Sequence, residues 1–152
     1  MIRRVHLGVW QRFRAKSAAE QRAVLWALAV GPLVKVTLRT RGYAATVRLL
    51  ERFQRSPSAG DSECRARAAE SAMHRIPFPM TCLDRSLVVW WLLGGAPDAV
   101  IRFGVAPGSD GGAPKFHAWV VADGMALDFD TEHLDTFLPL ESPGGIQPER
   151  FD

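Results

Sequence analysis

The sequence predicts an α+β protein in which an N-terminal helical bundle packs on a small antiparallel sheet. The 152 residues are 47% hydrophobic and 23% charged, which is typical of one globular domain with a sizeable core. Helical patterns fill the chain up to Leu93, and strand patterns follow from Ala99 onward. Helices and strands are thus separated along the chain, whereas a parallel α/β fold would alternate them.

The first helices are predicted from a capping signal and from apolar spacing. "SAAE" at residues 17–20 has the form of a capping box, so a helix is expected from there to about Val30. Gly31-Pro32 is expected to break or kink it, with a second segment running to about Thr40. In "YAATVRLLERFQR", residues 43–55, the apolar side chains recur at helical spacing, which predicts another helix.

Two further helices are predicted before the sheet. The alanine-rich stretch "SECRARAAESAMHRI", residues 62–76, has good helix propensity. Cys64 and His74 within it are interpreted as structural, because nothing near them in the sequence suggests chemistry. Residues 83–93 are apolar nearly all round, which predicts a buried helix that ends at the glycine pair after it.

The second half of the chain carries the strand signals. "AVIRFGV", residues 99–105, is rich in residues that favour strands. In "FHAWVVADGMALDFD", residues 116–130, Asp123-Gly124 is a preferred type I′ turn pair between apolar segments, so a hairpin is predicted. The following "TEHLDTFLPL" is expected to form a turn and a short helix, and residues 141–152 to be loosely ordered.

Charge is distributed unevenly along the chain. Residues 1–60 carry 12 Lys/Arg and 2 Asp/Glu, which is a net charge of +10. Residues 61–152 carry 7 Lys/Arg and 14 Asp/Glu, which is a net charge of −7, and the whole chain has a net charge of +3. The asymmetry indicates a charged partner, or two halves that face each other. Nucleic acid is not expected as the partner, because no nucleic-acid-binding motif is present. Peripheral contact of the basic helices with a membrane surface is a further alternative.

Targeting, metal and cofactor signals are not found. The basic start lacks an apolar h-region, and the apolar stretch 23–34 is shorter than the roughly 20 residues of a membrane-spanning helix, so a cytoplasmic location is expected. Cys64 and Cys82 form no CxxC pair and no metal-ligand cluster, so neither a disulfide framework nor a metal site is expected. No GxxxxGK[ST] motif occurs, and no cofactor is expected.

Cys82 has two interpretations. A free cysteine usually packs as a small hydrophobic residue. However, Cys82 is predicted at the N-terminus of the buried helix, where the helix dipole and the backbone N–H groups stabilise a thiolate. Its own backbone N–H would then serve as one donor to an oxyanion. Cysteine peptidase chemistry also needs an imidazole and a group that orients it.

His117 is the candidate base, because it is a polar ring inside a predicted strand. A two-residue turn would place Asp130 directly opposite His117 and Asp128 diagonally from it, all on one face. A carboxylate at either position can fix the imidazole tautomer. Both aspartates are also compatible with plain solvated positions, and a one-residue bulge would change which of them faces inward.

The same residues carry a resemblance to a known family. "CLDRSLVVWWLLGGAPDAVIRFGV" followed by "FHAWVVADGMALD" resembles the transglutaminase-like cysteine proteases that remove leaders from lasso peptides, often called the lasso B proteins. The resemblance covers roughly residues 78–138. It implies a papain/transglutaminase-like Cys-His-Asp core over residues 61–140, preceded by the basic helical region 1–60 and followed by the tail 141–152, all in one compact domain.

The resemblance also implies roles for single residues. Cys82 corresponds to the nucleophile and His117 to the base. The third residue is Asp128 or Asp130: an apolar residue followed by Asp, as in the generic pattern, slightly favours Asp128, whereas the hairpin register favours Asp130.

Partners follow from the resemblance as well. They are a precursor leader peptide, a small winged-helix leader-binding protein and an asparagine-synthetase-like cyclase, as in family members of split form. The basic N-terminal region would be a docking face for one of them, or a scaffold with solvated arginines. Two other functions stay open: a transamidating enzyme on the same scaffold, and a non-catalytic module that binds a partner.

Overall fold

A computed structural model of the chain describes residues 13–54, 62–94, 98–108, 112–128 and 134–140. Within these ranges, three long helices precede a small sheet, so the predicted α+β fold class is confirmed. The helices are α1 (Ala18–Arg52), α2 (Ser62–Met73) and α3 (Cys82–Leu92). The strands are β1 (Val100–Ala106), β2 (Lys115–Ala122), β3 (Met125–Leu127) and β4 (Leu138–Pro139), in the antiparallel order β3-β2-β1-β4.

Helix α1 begins where the sequence predicts. The Ser17 hydroxyl accepts a hydrogen bond from the Glu20 N–H at 3.2 Å, and the Glu20 carboxylate accepts one from the Ser17 N–H at 2.9 Å. Both halves of the predicted capping box are therefore present. The hydrogen bond from the Ser17 N–H lowers the pKa of Glu20 below its ordinary value.

Of the break or kink predicted at Gly31-Pro32, the break does not occur, because α1 continues through Pro32. The backbone leaves helical geometry instead at Gly42, where φ is +78°. Gly31 has a different role. A Cβ at this position would lie 2.9 Å from Ile76 Cδ1 and 3.4 Å from Met80 Cε, so the glycine lets the segment before α3 approach α1 closely.

The core lies between the three helices and one face of the sheet. Helix α3 is buried nearly all round, as its composition predicts. Helix α2 contributes mostly alanine, whose small side chain lets neighbouring helices approach. It ends at Met73, earlier than the predicted 76, and a hydrogen-bonded turn follows. The largest fully buried side chains are Met73, Leu87, Leu93, Ile101, Val34, Val88, Val89, Val120 and Thr46.

The hairpin of β2 and β3 has the predicted register. Ala122 pairs with Met125, and the turn residues Asp123 and Gly124 have φ of 53° and 72°, as a type I′ turn requires. Strand β3 ends at Leu127, so β2 extends well beyond it at its N-terminal end. This projecting end of β2 carries His117.

Strand β4 was not predicted. The expected short helix is present as a 3₁₀ turn, Leu134–Thr136, and β4 follows it and pairs with β1. Two residues are too few for an alternating pattern to show in a sequence. Proline is tolerated in β4 because the strand lies at the edge of the sheet.

One described helix, α1, is long and apolar enough to cross a membrane by length and composition, with a mean hydropathy of 1.4 in its apolar window. A third of that window is buried inside the protein. Leu25, Leu33 and Val36 are exposed large apolar residues on α1. Core helices of water-soluble domains pass the same test, so it does not assign a location.

Tyr43 carries a buried polar atom that costs stability. Its hydroxyl has no hydrogen-bond partner within the described residues, while its ring meets Phe103 edge-on at 6.4 Å between centroids. We expect Tyr43→Phe to raise the free energy of unfolding by about 1 kcal/mol, because a buried unsatisfied hydroxyl costs roughly 1–3 kcal/mol. Urea denaturation measures the change.

The pH dependence gives a second readout. Burial raises the pKa of Tyr43 above its ordinary value of 10.0, so stability is lost as the pH rises through the raised value. The advantage of the phenylalanine variant should therefore grow above that ordinary pKa. Tyr43→Ala, which also loses the ring contact, should be less stable by about 3 kcal/mol. A phenylalanine variant less stable than the wild type would contradict the prediction.

Candidate active site

Cys82 is the first residue of α3, and a second capping box fixes the backbone at this point. The Thr81 hydroxyl accepts from the Asp84 N–H at 3.2 Å, and the Asp84 carboxylate accepts from the Thr81 N–H at 2.7 Å. Sequence analysis did not identify this box, although "TCLD" has its form with Asp in place of Glu. Cys82 therefore lies where the first N–H groups have no partner within the helix.

A buried hydrogen bond joins α3 to the strand that carries the histidine. The Ser86 hydroxyl donates to the Ala118 carbonyl at 2.9 Å. Ser86 lies one helical turn after Cys82, on the same face of α3, and Ala118 directly follows His117. The Ala118 carbonyl lies in the part of β2 that extends beyond the end of β3, and it accepts its hydrogen bond from a side chain of α3. It brings the start of α3 alongside His117.

Cys82 and His117 line one small cleft with a volume of about 20 Å³, enough for a water molecule. This shared cleft is what a hydrogen bond from the Cys82 thiol to the His117 imidazole requires. Bonds of this kind are often long before substrate binds and shorten in the complex. The lining is completed by Glu70, Arg85, Ser86, Val89, Ala118, Trp119, Leu127 and Asp128.

His117 is oriented by Asp128. Its Nε2–H donates to Asp128 Oδ2 in a short contact, and the two side chains are only 14% and 7% exposed. This contact leaves Nδ1 as the ring nitrogen that can accept the thiol proton. Asp128 is one of the two aspartates predicted from the sequence, and the structure brings it onto His117. Asp130, the other candidate, lies outside the described residues.

Two aromatic rings pack against the His117 imidazole. Trp119 stacks on His117 at 6.0 Å between centroids and 16° between planes, and Phe137 lies at 5.2 Å. Gly104 pairs with His117 across the sheet, and a Cβ there would lie 2.9 Å from two Trp119 ring carbons and 3.0 Å from Phe137 Cβ. A glycine is therefore needed at this position. Glycine inside a predicted strand was the available signal.

Glu70 and Arg85 are cleft residues that sequence reasoning missed. Arg85 Nη1 lies 3.8 Å from Glu70 Oε2, and Arg85 Nη2 donates to the Met80 carbonyl at 3.3 Å. The spacing of three residues from Cys82 could have identified Arg85, because such residues share a helix face. Glu70 lies on α2 and has no sequence link to the site. Cys64 and His74 do not line the cleft.

The chain was compared with known proteins. A family model described as the transglutaminase-like superfamily matches residues 24–142, a longer span than the 78–138 of the sequence resemblance. Searches of curated proteins and of solved structures give no match. Among the described residues, no group of three or more His, Cys, Asp or Glu is placed to hold a metal ion.

The close contacts at Gly104 give a prediction about His117. Gly104→Ala should push the Trp119 ring and Phe137 apart, because the new methyl group overlaps both. Overpacking of this kind costs about 1–3 kcal/mol of the free energy of unfolding. NMR resonances of the His117 imidazole should shift in the same variant.

A double variant separates this contact from a general loss of stability. Trp119→Phe removes the two ring carbons that the methyl group would meet, so Gly104→Ala should cost less in that background than in the wild type. Fully additive costs in urea denaturation would contradict the contact.

Proposed function

Since this chain belongs to the transglutaminase-like superfamily, we propose that it is a cysteine peptidase that acts through a thioester acyl-enzyme. The observation that carries the proposal is the cleft shared by Cys82, at a helix N-terminus, and the hydrogen-bonded pair of His117 and Asp128. Nucleophile, base and orienting carboxylate come from three separate elements. This combination is what cysteine peptidase chemistry requires.

The first step forms the acyl-enzyme. Cys82 Sγ gives its proton to His117 Nδ1 and attacks the carbonyl carbon of the scissile peptide bond. Asp128 holds the Nε2–H and stabilises the imidazolium that results. The N-terminus of α3 stabilises the thiolate, and the Cys82 N–H donates to the oxyanion. The C–N bond then breaks, and His117 protonates the departing amine.

The second step releases the acid. A water molecule gives a proton to His117 Nδ1 and attacks the thioester carbon, and the C–S bond breaks as the carboxylic acid forms. The proton returns from His117 to the Cys82 sulfur, which restores the starting state. Throughout this cycle Asp128 keeps the ring in one orientation.

The substrate we propose is the leader of a lasso-peptide precursor, cut so that the core peptide gains a new N-terminal amine. Support comes from the resemblance of the "CLDRSLVV" and "FHAWVVADG" segments, which carry Cys82 and His117. A winged-helix leader-binding protein would present the leader, and an asparagine-synthetase-like cyclase would use the new amine. The exposed arginines of α1 favour an acidic docking partner; they are Arg22, Arg39, Arg41, Arg48 and Arg52.

Transamidation is the second candidate function. The same thioester would form, but an amine rather than water would attack it and leave an isopeptide product. The superfamily match favours this reaction as much as hydrolysis. Mass spectrometry of the products distinguishes the two, because hydrolysis of a peptide bond creates new termini and transamidation creates cross-links.

The nucleophile is tested by Cys82→Ala. We expect this variant to lose all cleavage while keeping its fold, because no other described thiol lines the cleft. Cleavage can be measured without knowledge of the precursor. A library of peptides prepared from a whole proteome is incubated with the protein, and mass spectrometry identifies the new N-termini. Cys64→Ser is the matched control and should retain full activity. Cleavage by Cys82→Ala would contradict the assignment.

The orienting residue is tested by Asp128→Asn. An amide cannot stabilise the imidazolium and permits the wrong tautomer, so kcat should fall by roughly 10²–10⁴-fold. Asp135→Asn, an exposed position on the 3₁₀ turn, is the control. Full activity in Asp128→Asn together with a loss in Asp130→Asn would move the role to Asp130.

A further inference from the structure

Lys35 reaches from α1 to the start of α3. Its Nζ donates to Asp84 Oδ2 at 3.2 Å and, through a shorter contact, to the Pro79 carbonyl. The Lys35 side chain is 19% exposed, and Asp84 is only 3% exposed. A lysine from the middle of the longest helix thus binds the chain on both sides of Cys82.

Asp84 creates an electrostatic problem for a reactive thiol. Its carboxylate folds back onto the Thr81 N–H, immediately before Cys82 in the chain. A buried negative charge therefore lies in the same first turn of α3 as Cys82, where it opposes the formation of a second negative charge. It also binds the same helix N-terminus that would stabilise the thiolate.

We propose that Lys35 is a positioning residue for the nucleophile: its ammonium group neutralises Asp84 and anchors Pro79, so that the start of α3 can stabilise the Cys82 thiolate. The inference rests on the proposed function only in taking Cys82 as the reactive thiol. Asp84 keeps its capping bonds, and the Lys35–Asp84 pair adds no net charge to the first turn of α3.

The charged groups that line the cleft are paired in the same way. Glu70 of α2 lies against Arg85 of α3, and His117 of β2 is bonded to Asp128 after β3. Each carboxylate of the described cleft thus faces a basic group. Lys35 does for Asp84 what Arg85 and His117 do for the other two carboxylates. Removal of Lys35 would leave the Asp84 carboxylate in the first turn of α3 without its ammonium partner.

Alkylation of Cys82 by iodoacetamide tests this without any peptide substrate. The thiolate displaces iodide and forms a C–S bond, so the rate reports the thiolate fraction. In a Cys64→Ser background, we expect Lys35→Met to lower the rate at neutral pH by about tenfold. The midpoint of the rate–pH profile should rise by about one pH unit, with the same rate at high pH.

Charge and packing are separated by further variants. Lys35→Met/Asp84→Asn removes both charges and should restore most of the rate, whereas a purely structural role for Lys35 predicts no recovery. Asp84→Asn alone leaves the lysine cation without its counter-charge at the start of α3 and should react faster than the wild type. Lys16→Met removes the lysine of a partly exposed ion pair far from Cys82 in the sequence, 3.5 Å from Glu20, and should change nothing.

The outcomes decide the proposal independently of peptidase activity. An unchanged profile in Lys35→Met, or a double variant as slow as the single one, overturns it. Should Lys35→Met not fold, the rates of Asp84→Asn and of the double variant still decide it. Loss of cleavage without a shift in the alkylation profile would leave the peptidase proposal intact and remove Lys35 from it.

Discussion

The hydrogen bond from the Ser86 hydroxyl to the Ala118 carbonyl is the contact on which the geometry of the cleft depends. It is buried, and it joins the helix that begins at Cys82 to the strand that carries His117. At this point β2 is paired with β1, whereas its pairing with β3 has already ended at Leu127, so the bond from α3 is made on the side of β2 that β3 leaves open. This hydroxyl therefore helps to hold the candidate nucleophile alongside the candidate base.

Around this contact, opposite charges occur in pairs drawn from different elements. Asp84 of α3 pairs with Lys35 of α1, and Glu70 of α2 pairs with Arg85 of α3. His117 of β2 pairs with Asp128, the residue that follows β3. Such pairs hold charged groups in a partly buried site at low net cost, since each charge has a partner. The same pairs tie the helices to the sheet, so the site and the fold depend on shared interactions.

The sequence predicted those features that depend on local patterns. The first capping box, the buried helix and the Asp123-Gly124 turn each follow from a few neighbouring residues. Other features could not be predicted from local patterns. Pro32 stays within α1 because packing against the rest of the protein stabilises the helix. Strand β4 has only two residues, which are too few to show a pattern. Phe137 and Glu70 reach the cleft only through the fold, so no spacing identifies them.

Gly31 connects the first helix to the candidate nucleophile although it lies outside the cleft. The side chains that it admits belong to Ile76 and Met80, and Met80 directly precedes the N-cap of α3. An added methyl group here would meet only the ends of these two side chains, whereas a large side chain would need the space that Ile76 and Met80 occupy. Large substitutions at Gly31 would therefore reach the start of α3 from a helix that contributes no residue to the described lining of the cleft.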